Sequence, residues 1–283
     1  MLILLCSTVF STNIIAARLS GQLYDPFLMT LCRWAFVGLG LSPFVLFASS
    51  KRLSLSAADL YNIALYAVFG LLLPSVLTFL AGLTTTALNL TIIYSSTPAV
   101  IYIMAAITGA ERIKLWQLVG LLISTLGVIT ALGYSRGIIP EFAIREGDVF
   151  AVTAVFNWAF YSVYIAGKRP TLALSTRLWL ASWVCTAVLF CYVLATGRLG
   201  GLSNLTAGFF SLTAFVALVP SVLGYMLHAH LTRAVGVVRV GLMSYLVPVA
   251  AGIQAMLLLS EPLYPAQLAA AGMILLGVWI SGR

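Results

Sequence analysis

PAVIYIMAAITGAERIKLWQLVGLLISTLGV, residues 98–128, and PVAAGIQAMLLLSEPLYPAQLAAAGMILLGV, residues 248–278, align without a gap at a constant offset. Pro98 pairs with Pro248, Glu111 with Glu261, Gln117 with Gln267 and Leu118 with Leu268, and Leu126-Gly127-Val128 recurs as Leu276-Gly277-Val278. Upstream, Pro74-Ser75-Val76-Leu77 recurs as Pro220-Ser221-Val222-Leu223 at a slightly shorter offset, so the second half carries a small insertion between the two matches. Both copies sit in apolar sequence able to cross a bilayer. A membrane chain of two related halves is read first as a transporter, because such halves can rock about a site on their interface.

Composition agrees. With 62% hydrophobic and 8% charged residues, the chain lies far outside the soluble range of roughly 45–50% apolar and about 25% charged. The formal charge of +8 does not point to nucleic acid, since the basic residues are dispersed over loop after loop with no basic face to track phosphates. They read as topology signals. Cys6, Cys32, Cys185 and Cys191 all fall in apolar spans without paired metal-ligand spacing, so they are read as packing residues, and no disulfide framework or metal site is expected.

Charged and Pro/Gly-bearing breaks divide the chain into segments near the roughly 20 residues needed to span the hydrocarbon core. Helices are expected at 1–17, 27–48, 58–80, 84–108, 115–133, 148–167, 176–196, 206–229, 235–259 and 264–281. The third and fourth divide only at the uncharged Ala81-Gly82-Leu83. The runs are continuously apolar and do not alternate, which argues against a β-barrel. No basic residue precedes the first span, so it is read as a true first helix and not a signal peptide.

Lys51, Arg52, Arg112, Lys114, Lys168, Arg169, Arg177, Arg233, Arg239 and Arg283 collect on one side, against Arg18, Arg136, Arg145 and Arg198 on the other. The positive-inside rule then puts both termini in the cytoplasm and the longest loop, with Glu141 and Glu146, outside. Five spans per half is an odd number, so the second half enters from the opposite face and the repeat is inverted. The expected fold is an all-α polytopic membrane protein of ten transmembrane helices in two inverted five-helix repeats, 1–137 and 147–283, joined by an external linker, 138–146.

Several short stretches, in order, carry a family resemblance: Pro26 and Arg33 in the second span, Thr85-Thr86-Ala87, Ser96-Thr97-Pro98, Gly109-Ala110-Glu111-Arg112 and Gln117-Leu118-Val119-Gly120. In the second half they are Trp158-Ala159-Phe160-Tyr161, Lys168-Arg169, Tyr245-Leu246-Val247-Pro248 and Ser260-Glu261-Pro262-Leu263 with Gln267. With these the chain resembles the EamA-type, ten-helix branch of the drug/metabolite transporter superfamily over nearly its whole length, and within it the bacterial amino-acid exporters of the YddG type. The resemblance implies carriage of amino acids, related metabolites or sugar-phosphate-type solutes across a bacterial inner membrane. One departure stands out. Where such chains usually have a Trp-Gly-Ser-like motif in the first span, this one has Phe10-Ser11-Thr12-Asn13.

Arg33 lies about two turns into its span, where a charge costs about 2.5–3.5 kcal/mol on insertion scales. Two roles fit it: attracting a solute carboxylate in a wet cavity, or tying down backbone carbonyls and snorkelling toward the interface. Trp158, Tyr161 and Tyr164 share one helical stripe beside Asn157, and Asn13 occupies the repeat-related place of Tyr161. Tyr94 precedes Pro98 by one turn and Tyr245 precedes Pro248. Polar-tipped aromatics suit both a solute pocket and a headgroup belt. Trp158 lies too deep for a belt, whereas Tyr164 suits one. The expected substrate-binding set is therefore Asn13, Arg33, Tyr94, Trp158, Tyr161 and Tyr245, with Pro98 and Pro248 as helix kinks. His228 and His230 are read as interfacial residues at the end of the eighth span, and Glu111 and Glu261 as helix-end positions.

The resulting expectation is a secondary transporter, exporting amino acids or related small metabolites by alternating access around a cavity between the halves. Its partners are a small-molecule substrate and the lipid bilayer, with no nucleic acid, no cofactor and no catalytic residue; the sequence leaves the oligomeric state open, a monomer being plausible. The alternative is a membrane-embedded enzyme acting on a lipid or hydrophobic substrate. Against it, His-Glu-x-x-His and Gly-x-Ser-x-Gly are both absent. An ATP-driven pump would need a Walker loop, which is absent too.

Overall fold

A computed structural model describes residues 2–20, 24–48, 55–84, 93–94, 96–109, 114–134, 146–166, 172–199, 201, 205–259 and 265–281. The described elements are helical, and no strand occurs among the described residues. They are α1 Leu2–Ser20, α2 Pro26–Ala48, α3 Ala57–Thr84, α4 Thr97–Thr108, α5 Leu115–Tyr134, α6 146–166, α7 Leu174–Ala195, α8 Ala207–Val235, α9 237–259 and α10 Pro265–Ser281. Among the described residues, α2, α3, α7 and α8 are long and apolar enough to cross a membrane.

Local chemistry explains the helix ends. Ser56 and Asp59 form a capping box at the start of α3. The Asp25 carboxylate accepts the Phe27 and Leu28 N–H groups at 2.8 and 3.1 Å ahead of α2, and Thr206 caps α8 through Phe209 N. Gly236, at φ 89, separates α8 from α9, and Gly109, at φ 65, ends α4. Within the apolar helices the hydroxyls turn inward on their own backbone. Ser7, Thr8, Thr30, Ser42 and Thr78 each donate to the carbonyl four residues back, which lets a polar side chain sit in an apolar helix without an unmet hydrogen bond.

Several helix contacts recur when the first five helices are exchanged with the last five. α2 lies on α7, α4 on α9 and α5 on α10; α3 packs on α6 as α8 packs on α1, and α4 on α6 as α9 on α1. The α5–α10 contact is the tightest. Gly277 of α10 lies against Gly120 and Ser124 of α5 with no room for a Cβ, and Ser124 Oγ donates to Ile274 O at 3.3 Å. Small residues that let two backbones approach are the usual basis of helix association in lipid, where water does not drive it. The main buried core joins α2, α3, α6, α7 and α8 around Trp34, Tyr66, Tyr161, Leu178 and Tyr225.

Two expected helix bounds need correction. Helix α3 continues through Ala81-Gly82-Leu83 to Thr84, since an exposed glycine weakens a helix without ending it. Helix α8 runs on to Val235, beyond the expected 229, because Arg233 sits in its last turn and only Gly236 stops it. Pro98 stands in the first turn of α4, with residues 93–94 helical just ahead of it; at that position its missing N–H costs least. The Tyr94 carbonyl, which an N–H at Pro98 would have met, accepts instead from Thr97 Oγ1 at 2.6 Å. The matching break in α9 is a tighter 3₁₀ turn, Met243–Tyr245, followed by Leu246–Leu259 with Pro248 as its third residue. Glu111, Glu141 and Glu261 lie outside the described residues.

Candidate functional site

Arg33 is 4% exposed and sits two turns into α2, with no ion pair to a carboxylate among the described residues. Its Nε donates to Ser221 Oγ of α8 at 2.7 Å and its Nη1 to Asn13 Oδ1 of α1 at 3.1 Å. Both acceptors are neutral, so they solvate the guanidinium without cancelling its charge. Ser221 in turn donates its hydroxyl proton to Val216 O at 2.7 Å, which fixes its lone pairs toward Arg33. A guanidinium has five N–H donors in a planar fork. The Nη2 amino group has no protein partner among the described residues, and this is the edge by which arginine grips a carboxylate in two parallel hydrogen bonds.

Beside Arg33 stands a cluster of rings from α1, α6 and α8. Trp158 lies between Phe10, Tyr161, Tyr225 and His228, with ring centroids at 5.9, 5.1, 5.9 and 5.2 Å. Tyr161 stacks on His228 at 6.2 Å and leans on Tyr66 of α3 at 5.6 Å. Trp34, next to Arg33, meets Tyr225 edge to face at 5.9 Å. Offset and edge-to-face pairs of this kind are individually worth about 0.5–1.5 kcal/mol beyond their area. Three polar atoms on these rings, Trp34 Nε1, Tyr66 Oη and His228 Nδ1, are buried and have no hydrogen-bond partner among the described residues. A buried polar atom left unmet is costly unless something else meets it. Trp158 and Phe10 are only partly buried.

Of the residues expected from sequence, Asn13, Arg33, Trp158 and Tyr161 come together here. Tyr94 and Tyr245 are engaged elsewhere. The Tyr94 hydroxyl donates to Thr78 Oγ1 of α3 at 3.1 Å. Tyr245 is fully buried, with its hydroxyl against Thr125 Oγ1 of α5 at 2.6 Å. Asn157 donates to the Phe69 carbonyl at 2.7 Å, away from the rings, and Tyr164 faces outward, as a belt residue would.

The interfacial reading of His228 does not hold. It is 6% exposed and enclosed by Phe10, Trp158 and Tyr161, because α8 continues past it to Val235; His230, on the other face, is exposed. Tyr225 and Ser221 also belong to the site and were not singled out from sequence. The available signal was that Ser221 lies in the repeated Pro-Ser-Val-Leu and that Tyr225 and His228 share a face with it at four- and three-residue steps. Among the described residues no group of three His, Cys, Asp or Glu is placed to hold a metal ion.

Comparison with known proteins is consistent with this architecture. A solved crystal structure superposes with a TM-score of 0.74 over 99% of this chain and 95% of its own length, at 16% identity, which shows a shared fold. The chain is 26% identical over 188 residues to a probable amino-acid metabolite efflux pump of Salmonella typhimurium, covering 63% of this chain. It is 29% identical over 206 residues to the uncharacterized transporter YyaM of Bacillus subtilis, covering 71%. The matches span 61% and 66% of those curated relatives' lengths. The model of the EamA-like transporter family matches residues 1–133 and again 145–283, so that each half carries the family pattern and the chain belongs to the EamA-like transporter family.

Proposed function

We propose that this protein carries small organic solutes, amino acids or related metabolites, out of the cell through a bacterial inner membrane. It does so by alternating access between two inverted five-helix halves, 1–137 and 147–283, with both termini cytoplasmic. The observation that carries this reading is the composition of the site. Arg33, Asn13 and Phe10 come from the first half and Ser221, Tyr225, His228, Trp158 and Tyr161 from the second, so a solute held there touches both moving parts. The fork of Arg33 suits a carboxylate and the rings suit an apolar side chain, which together fit an amino acid. Direction and solute class draw further support from the efflux pump to which the chain is similar. The family is one of transporters, not enzymes.

The test is counterflow in proteoliposomes preloaded with each of a panel of amino acids, amines and sugar phosphates. Labelled amino acid should accumulate transiently only in vesicles holding an unlabelled amino acid. Counterflow with sugar phosphates alone, or with nothing in the panel, contradicts the amino-acid assignment.

A further inference from the structure

Helix α3 contains a widened, π-type stretch, Tyr66–Leu72, at whose end Leu73 N–H reaches back five residues to Val68 O. Such turns are uncommon and recur at functional sites. Three carbonyls of this stretch receive a side-chain donor, and all three donors belong to the other half of the chain. Cys185 Sγ of α7 donates to Ala67 O at 3.2 Å, Asn157 Nδ2 of α6 to Phe69 O at 2.7 Å, and the Tyr225 hydroxyl of α8 to Gly70 O at 2.5 Å. Gly70 has a second neighbour. A Cβ there would lie 2.7 Å from Tyr161 Cε2, so the Tyr161 ring rests directly on the glycine backbone. The Gly70 peptide is thus held between Tyr161 and Tyr225, whose ring centroids are 6.2 Å apart.

The relation is reciprocal. Helix α8 has its own π-type stretch, Ala217–Leu223, and there it is Ser221 that receives Arg33 from the first half. Each half grips the irregular stretch of the other.

We propose that Tyr225 is a positioning residue for the transport step. Its ring stands in the cluster where the solute binds and its hydroxyl holds the Gly70 carbonyl, so a solute that displaces the ring pulls on the π stretch of α3. The inference rests on the ring cluster being the solute site. The physical link is rigidity: a phenol ring cannot shift at its face without carrying its hydroxyl along. A carbonyl released inside a membrane protein has little water to turn to, so the stretch must find new backbone partners. Moving a wide turn along a helix re-aims every side chain it passes, which is what a half-to-half rocking motion requires.

Tyr225→Phe keeps the ring and removes the hydroxyl. Two measurements on the full-length variant decide the matter. Amide hydrogen exchange in nanodiscs without solute should rise at least tenfold over 66–72 while 97–108 stays as in the wild type. Counterflow of radiolabelled L-phenylalanine, or of the amino acid fastest in the panel, should show a half-saturation within twofold of wild type and a maximal rate at least fivefold lower. Gly70→Ala, which pushes Tyr161 off the same peptide, should repeat the rate loss. Unchanged exchange over 66–72 overturns the proposal. So does a maximal rate equal to wild type despite faster exchange, the result a merely structural bond would produce. If the wild type moves no amino acid at all, the transport reading itself fails and this role with it; a loss confined to the variant-specific readouts leaves that reading standing.

Discussion

Phe10 and Trp158 meet edge to face, with ring centroids 5.9 Å apart and planes at 76°. They stand at the same offset that pairs Asn13 with Tyr161, so in the proposed inverted repeat they are equivalent positions of the two halves. Equivalent residues can touch only near the axis that relates their halves. In the inverted repeat proposed above, the ring cluster therefore sits on the axis of the two halves, where their opposite movements are most strongly felt.

Replacing Trp158 by Ala removes the ring that contacts four others in this cluster. Because Trp158 is only partly buried, the structural cost should fall below the roughly 3–5 kcal/mol of a fully buried Trp→Ala change. Amino-acid counterflow is expected to drop at least tenfold while the variant still expresses and melts within several degrees of wild type. Wild-type kinetics in this variant would remove Trp158 from the site.

Arg33→Gln sets two magnitudes against each other. It forfeits charge-assisted hydrogen bonds worth about 1.5–3 kcal/mol each, and it relieves an insertion cost of about 2.5–3.5 kcal/mol. Stability should change little. The half-saturation concentration of an amino acid should rise at least tenfold, while that of its decarboxylated amine stays within twofold. Arg33→Lys should not rescue, since an ammonium cannot reach Ser221 and Asn13 with a planar fork. Equal loss for acid and amine would mean that Arg33 only ties helices together.

Much of this was readable in advance, for identifiable reasons. Doubling and apolar runs report the helices because lipid demands them. A deep Arg33 and the Trp158–Tyr161 stripe stand out against an apolar background. The sequence reading passes over Tyr225 and takes His228 as interfacial because it closes the span at 229, near Arg233; a single basic residue looks like a boundary, yet only the Gly236 backbone ends the helix. Tyr94 and Tyr245 have the right residue type and depth, but sequence spacing does not reveal that Thr78 and Thr125 capture their hydroxyls. The π stretches were invisible, because one extra residue in a turn leaves no trace in a uniformly apolar pattern.

Two glycines should behave oppositely. A Cβ on Gly277 would fall on Ser124 Oγ and 2.8 Å from Ser124 N, so Gly277→Ala should separate α5 from α10 and cost about 1–3 kcal/mol. Nothing lies within 4 Å of a Cβ on Gly82, and Gly82→Ala should stabilise α3 by about 0.5–1 kcal/mol. Thermal unfolding of the two variants in one detergent checks the pair. A Gly277→Ala protein as stable as wild type would show that the α5–α10 contact is not tight.

The proposed topology follows from the uneven spread of Lys and Arg. A single cysteine introduced at position 141 in a cysteine-free background should react with a membrane-impermeant maleimide from outside intact cells. One at position 51 should react only after permeabilisation. The reverse pattern, or equal labelling at both, contradicts cytoplasmic termini and with them the inversion of the halves.

The last expectation concerns what drives transport. Proton-coupled carriers commonly place a carboxylate within the membrane, facing the pathway. Here the described carboxylates sit at helix starts: Asp25 before α2, Asp59 in the first turn of α3, and Glu146 and Asp148 in the first turn of α6. Asp25 and Asp59 are used for capping, and Asp25 also pairs with Arg198. That leaves His228, which is enclosed by Phe10, Trp158 and Tyr161 and has no carboxylate partner in these contacts. In that setting the imidazole serves best as a neutral hydrogen-bonding group toward a solute through its unmet Nδ1. Amino-acid flux should therefore run down its own gradient in proteoliposomes with no imposed pH, sodium or voltage difference, and a pH gradient should neither start it nor drive it uphill. His228→Gln, which keeps a neutral donor and acceptor, should retain at least a third of the wild-type rate, whereas His228→Ala should lose most of it. Uphill accumulation that appears only with a proton gradient, and vanishes in both variants, would show that His228 carries the coupling proton.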